Sequence, residues 1–112
     1  MSPKASLGEF EHHVLLAALR LGEDAYTTSI LTELEERTGR EASAAAIYIA
    51  LRRLEAAGMV KSQMRESSER GERRERRYVR VTPSGIALAR DVRQRLLNLW
   101  DGLTIVTGGR RA

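Results

Sequence analysis

Between positions 59 and 82 the chain carries Lys61, Arg65, Arg70, Arg73, Arg74, Arg76, Arg77 and Arg80 against Glu66, Glu69, Glu72 and Glu75. The net charge of this segment, +4, equals that of all 112 residues, so the remaining acids and bases balance. Guanidinium and ammonium groups gathered on one segment attract phosphates and release the counterions held around them. The chemistry on offer is electrostatic recognition of a polyanion. The competing reading is a solvated surface in which the interleaved glutamates neutralise the arginines.

Covalent chemistry has little to work with. Cys is absent, which removes disulfides, thiolate metal sites and a thiol nucleophile, and which fits a reducing cytoplasm. His12 and His13 are adjacent, so on a helix they point about 100° apart and cannot grip one metal. Glu9 and Glu11 do not complete a site. No Ser/His/Asp set, phosphate-cradling glycine loop or isolated carboxylate pair stands out. The expectation is no catalysis, no metal and no cofactor. No apolar run approaches the roughly 18 residues of a membrane span. Met1 to Leu7 lacks the charged-then-apolar layout of a signal peptide. A cytoplasmic protein without a membrane partner is expected.

The elements that must position the basic segment follow from local signals. The length suits one domain with one core, and with five aromatics the packing must come mostly from aliphatic helices. Residues 1–7 read as a flexible arm. Gly8 to Leu21 reads as a helix with the stripe Phe10, Val14, Ala17, Ala18 and Leu21, broken by Gly22-Glu23-Asp24. Tyr26-Thr27 is a candidate minimal strand. Thr27 or Thr28 is the expected cap of a second helix, with Ile30, Leu31 and Leu34 inward and Gly39 as its left-handed stop. Ser43 caps a third helix to Ala57, burying Ile47, Leu51 and Leu54. Ala44, Ala45, Tyr48, Arg52 and Glu55 mark its other side.

A strand over Met59 to Met64, a charged loop over 65–75 and a strand over Arg76 to Val81 follow. Thr82 caps the last helix, with Pro83 at its first position. It runs to about Asp101, roughly 28 Å. Leu88, Val92, Leu96, Leu99 and Leu103 form one stripe along it. A small domain leaves such a stripe little to cover, so a second subunit is its expected seat. Packing on the first helix of the same chain is the alternative, and both are compatible. Residues 104–112 read as a basic tail. The fold class expected is mainly α (α+β): a winged helix-turn-helix over 8–82 with a C-terminal dimerisation helix over 83–103.

A helix followed at once by a basic hairpin is an outline used to set a helix in a DNA groove. Ser43 is a cap and a candidate phosphate contact. Ala44 and Ala45 are candidate neighbours of thymine methyls. Tyr48 turns about 100° from the buried Ile47, toward a phosphate, a base or the wing. Arg52 is a candidate for phosphate, whereas Arg53 is as well placed to pair with a nearby acid. Arg73 and Arg74 flank the wing tip beside Gly71 and suit a narrow minor groove or the backbone alone. Arg77 joins them as a candidate contact. Arg70 and Arg76 read as general attraction, and Tyr78 as packing.

Three segments carry a family likeness. They are Leu7-Gly8-Glu9-Phe10-Glu11-x-x-Val14-Leu15, then Ile47-Tyr48-x-x-Leu51-x-Arg53-Leu54-x-x-x-Gly58-Met59-Val60, then Arg76-Arg77-Tyr78-x-x-Val81-Thr82-x-x-Gly85. In this order and at these distances they resemble the PadR family of bacterial transcriptional regulators, over roughly Leu7 to Leu103. The resemblance implies a homodimeric repressor on palindromic promoter DNA. The third helix would enter the major groove with Tyr48 at the DNA face. The wing would touch backbone or minor groove, and the last helix would dimerise. The family commonly has Gly-Tyr where Ala25-Tyr26 stands, and the chain resembles short-form members with one C-terminal helix. In some of these a tryptophan on that helix lines a pore between subunits and stacks on planar drugs. Trp100 is the matching candidate ligand residue, and filling the dimer interface is its plainer role. The alternative function is therefore a regulator that senses a drug or phenolic effector near Trp100. A winged helix used only for protein contact is a third reading, disfavoured by the concentrated charge.

Overall fold

The computed structural model describes residues 7–69 and 71–103. Most of the expected arm and the whole of the expected tail lie outside these residues. Helix α1 (Glu9–Leu21) is followed by a 3-10 turn (Gly22–Asp24), α2 (Thr27–Thr38) and α3 (Ala44–Ala56). Strands β1 (Val60–Glu69) and β2 (Glu72–Val81) then lead into α4 (Pro83–Trp100).

The core lies where α1, α2 and α3 meet the base of the hairpin. Val14, Leu15, Ile30, Ile47, Leu54 and Val60 are its largest fully buried side chains. The expected inward residues of α2 and α3 are buried or partly buried. On α1 the centre of burial sits at Val14 and Leu15, with Phe10 and Leu21 only partly covered.

Local capping follows the sequence at three ends and departs from it at one. Ser43 Oγ accepts from the Ala46 N–H at 3.0 Å, and Gly39 ends α2 at φ 71°. Thr82 Oγ1 accepts from the Gly85 N–H at 3.1 Å and donates to the Gly58 carbonyl at 2.6 Å. Neither Thr27 nor Thr28 caps α2. Tyr26 occupies that position, and Ser29 Oγ accepts its N–H at 2.9 Å while donating to the Asp24 carbonyl at 2.7 Å. The 3-10 turn brings that carbonyl within reach, so one serine ties the turn to the start of α2. Tyr26-Thr27 forms no strand; a backbone hydrogen bond from the Val79 N–H to the Ala25 carbonyl, 2.9 Å, ties this corner to the hairpin.

The hairpin is the main correction. Most of the segment read as a loop, residues 65–75, is strand, and β1 and β2 pair antiparallel from Val60↔Val81 to Glu69↔Glu72. Ten residues reach about 34 Å. Beyond the base no apolar face marks the strands, because they project past the core and are held by cross-strand backbone bonds rather than burial. Gly71 takes φ 80° beside the reversal, a left-handed conformation that suits glycine. Like charges stand opposite one another at Lys61↔Arg80, Arg65↔Arg76 and Glu66↔Glu75, pairings that cost stability. Register is therefore set at the base, where a one-residue slip would turn Val60 and Val79 into water.

Only Gly85 and Ala89 of α4 are buried. One edge of this helix, with Ile86, Ala89, Leu96, Leu97 and Trp100, faces Leu16 and Leu19 of α1 across a groove of about 580 Å³. The neighbouring edge carries the predicted stripe. Leu88 and Val92 are half-buried, whereas Leu96, Leu99 and Leu103 are exposed. Of the stripe, Leu96 also borders the groove toward α1, and the stripe is otherwise left largely uncovered.

Candidate nucleic-acid interface

Helix α3 presents Ser43, Ala44, Ala45, Tyr48 and Arg52 to solvent. Burial of Ile47, Ala50, Leu51 and Leu54 on the opposite side sets this phase. Arg52 Nη1 donates to the Tyr48 hydroxyl at 3.1 Å, and its guanidinium lies 5.8 Å from the Tyr48 ring centre. That hydrogen bond holds the Arg52 pKa above its ordinary value. The pair forms one exposed unit with a fixed cation at its end. Arg53 pairs instead with Glu11 of α1 at 3.3 Å, the acid-pairing alternative of the sequence reading.

A chain of polar contacts fixes the wing beside α3. Arg77 Nη1 donates to Ser62 Oγ at 3.0 Å, and Ser62 Oγ donates to Glu55 Oε2 of α3 at 2.8 Å. On the other face of the hairpin the Arg65 guanidinium lies 3.7 Å from the Tyr78 ring centre and that of Arg76 4.1 Å from the Tyr26 ring centre. The two tyrosines meet edge-on at 5.4 Å. Each such cation–π contact contributes about 0.5–1 kcal/mol at an exposed site. Ser67 and Arg76 hydrogen bonds, with the charges of Arg76 and Arg65, lower the Tyr78 pKa despite some desolvation. Tyr78 is thus a packing residue, and Arg65 and Arg76 are engaged in holding the wing to the start of α2.

Alternation along the strands divides the basic residues. Arg73 and Arg77 share the face of Val79, which looks toward α3, together with Glu66 and Glu75. Lys61, Arg65, Arg74, Arg76 and Arg80 lie on the opposite face. Arg73 and Arg74, read together as a tip pair, therefore point to opposite sides. Arg74 is held by Glu72 at 3.3 Å and Arg80 lies 3.8 Å from Glu23. Arg73 has no ion pair among the described residues, so its charge is the most available of the three expected wing contacts.

Sequence reasoning missed Ile49, whose side chain is 50% exposed on α3. The signal was present: Ile49 falls outside the Ile47–Leu51–Leu54 spacing. Trp100 lines the α1–α4 groove with Leu97, Arg90, Arg93 and His12. Burial, aided by neighbouring His13, lowers the His12 pKa, and His12 Nε2 is buried with no hydrogen-bond partner among the described residues. Among the described residues no His/Cys/Asp/Glu group could hold a metal, and no helix is long and apolar enough to cross a membrane.

The model of the transcriptional regulator PadR-like family matches residues 15–91. The chain belongs to the PadR family. PadR members are transcriptional regulators rather than enzymes, so this chain is a DNA-binding transcription regulator. A PadR family regulator from Eggerthella lenta is 28% identical with a TM-score of 0.64, over 84% of this chain and 80% of that one. A PadR family regulator from Clostridium difficile shares the fold at 20% identity and a TM-score of 0.66, over 87% and 98%. A transcriptional regulator from Clostridium thermocellum does so at 23% and 0.65, over 84% and 88%. No curated protein matches the chain. The PadR departure at Ala25 is harmless to the fold, because this residue sits at φ −85°, ψ 116°, where glycine is not required.

Proposed function

We propose that this PadR regulator is a homodimeric repressor of a palindromic promoter operator. Residues 8–82 form the DNA-binding unit and residues 83–103 the dimerisation helix. The observation that carries this reading is the solvent-facing side of α3 beside a hairpin that holds the chain's net charge. Ser43, Ala44 and Ala45 let the helix start approach base edges closely. Tyr48 and Arg52 reach outward together toward phosphate, and Arg73 extends the contact along the wing. The exposed stripe of Leu96, Leu99 and Leu103, continued by Leu88 and Val92, supports association of two copies. A two-fold dimer presents two α3 helices, so the half-sites lie about one DNA turn apart, roughly 34–36 Å. Repression is the family's expected output.

The test is a fluorescence anisotropy titration against DNA from upstream of the chain's own gene, at two salt concentrations with excess nonspecific competitor. Binding that survives competitor with two subunits per site supports the reading. Loss of all binding to competitor, on this DNA and on sequences selected from a random pool, refutes it. Within the same assay, Arg73→Ala will flatten the salt dependence by about two units of log–log slope per dimer, one contact per protomer. Arg74→Ala will change it less, because Glu72 already compensates that charge. Equal slopes for the two variants would contradict the division of the wing into two faces.

A second reading rests on the α1–α4 groove. Its apolar walls, Trp100 and the cationic Arg90 and Arg93 suit a planar effector. Quenching of Trp100 emission by planar phenolic or other uncharged or anionic ring compounds supports it. Unchanged calorimetric binding by Trp100→Ala would refute a site at Trp100.

A further inference from the structure

We infer that Ile49 reads a thymine methyl in the operator, an inference that rests on α3 being the recognition helix. Ile47, Leu51 and Leu54 bury their side chains, whereas Ile49 is half exposed and Tyr48 is the other large apolar residue of α3 left outside. A branched side chain gains little at a solvent-facing helix position, where it loses rotamer freedom against the preceding turn. The dimer stripe does not account for it. Helix α3 packs chiefly on α1, α2 and β1, while the other exposed leucines belong to α1 and to α4 with the residues after it.

Ile49 lies one helical turn after Ala45 and one residue from Tyr48, so it borders the two residues already facing the groove. Arg52 and Tyr48 carry the polar reach on this face, and Ile49 has no group that could meet a phosphate. The thymine C5-methyl is the apolar feature of the major-groove edge and the chemical match for such a side chain. Losing the contact removes about one methyl's worth of apolar burial, which corresponds to roughly a fourfold change in affinity per half-site.

The experiment uses the whole chain and an operator recovered by selection from random duplexes. Each thymine is then replaced by deoxyuridine in both half-sites, which removes the methyl and nothing else. Wild type is expected to lose about fourfold per half-site at one symmetric position. Ile49→Ala loses the same amount on the thymine operator and nothing further on the uracil one. Ile49→Val, which keeps a branched apolar side chain, retains part of the uracil penalty. Wild type indifferent to every uracil, or Ile49→Ala with the full uracil penalty, overturns the inference while leaving the regulator reading intact. A selection that recovers no preferred sequence overturns both. Ile49→Ala exchanges an exposed residue for a better helix former, so its melting curve serves as the fold control.

Discussion

If α4 forms the proposed dimer interface, Leu99→Glu will leave a folded protomer that neither dimerises nor holds its operator. Leu99 is 73% exposed on the single chain, so its replacement takes nothing from the core. In a two-fold interface the same change occurs twice, on surfaces that face each other or nearly so. Two leucines worth about 1.5–3 kcal/mol each when buried are lost, and two carboxylates must be desolvated without partners. The dimer should weaken by at least about three orders of magnitude, since each 1.4 kcal/mol is tenfold. Operator affinity falls with it, because one protomer grips only one half-site. Analytical ultracentrifugation and anisotropy read the two losses separately. A Leu99→Glu protein that still sediments as a dimer would show that the α4 stripe is not the interface.

Gly85→Ala will destabilise the fold even though it adds one methyl to a helix. A Cβ at Gly85 would lie 2.3 Å from the Met59 carbonyl oxygen and 2.7 Å from Val81 Cγ1. The first is backbone and the second a short branched side chain, so neither can swing away. Here α4 lies directly on the hairpin base, where the Thr82 N–H also meets the Met59 carbonyl at 2.9 Å. Overpacking of this kind costs about 1–3 kcal/mol, a drop in Tm of roughly 5–20 °C for a domain this size. Thermal unfolding followed by circular dichroism, at matched protomer concentration, checks it. An unchanged midpoint would mean that α4 does not approach the hairpin so closely. Because α4 also carries the proposed dimer stripe, the variant should weaken any dimerisation through it as a secondary effect.

Both expectations start from residues visible in the chain, but the reasons came from different levels. Ser43, Thr82-Pro83 and Gly39 marked element ends correctly because each acts through bonds to groups within a few positions. The α3 burial pattern was legible for the same reason: Ile47, Leu51 and Leu54 repeat at helical spacing. The capping of α2 was not, because Ser29 draws on the Asp24 carbonyl, which only the 3-10 turn brings near. The length of the hairpin was hidden as well. Its outer half has strand geometry without a buried face, so no alternation of apolar residues announced it.

By itself the chain determined the class of partner and the order of elements: a net charge of +4 on one segment, directly after a capped helix. Charge is a property of composition, and capped helix ends are local. The tertiary structure decided how that charge is deployed. Register pairs Met64 with Arg77 and Ser68 with Arg73, and this sends Arg73 toward the α3 side and Arg74 away from it. It also decided that Arg65 and Arg76 stack on Tyr78 and Tyr26, and that Gly85 touches the hairpin base. Each of these depends on strand register or on which segment packs alongside, and a single sequence carries no direct signal for such pairings.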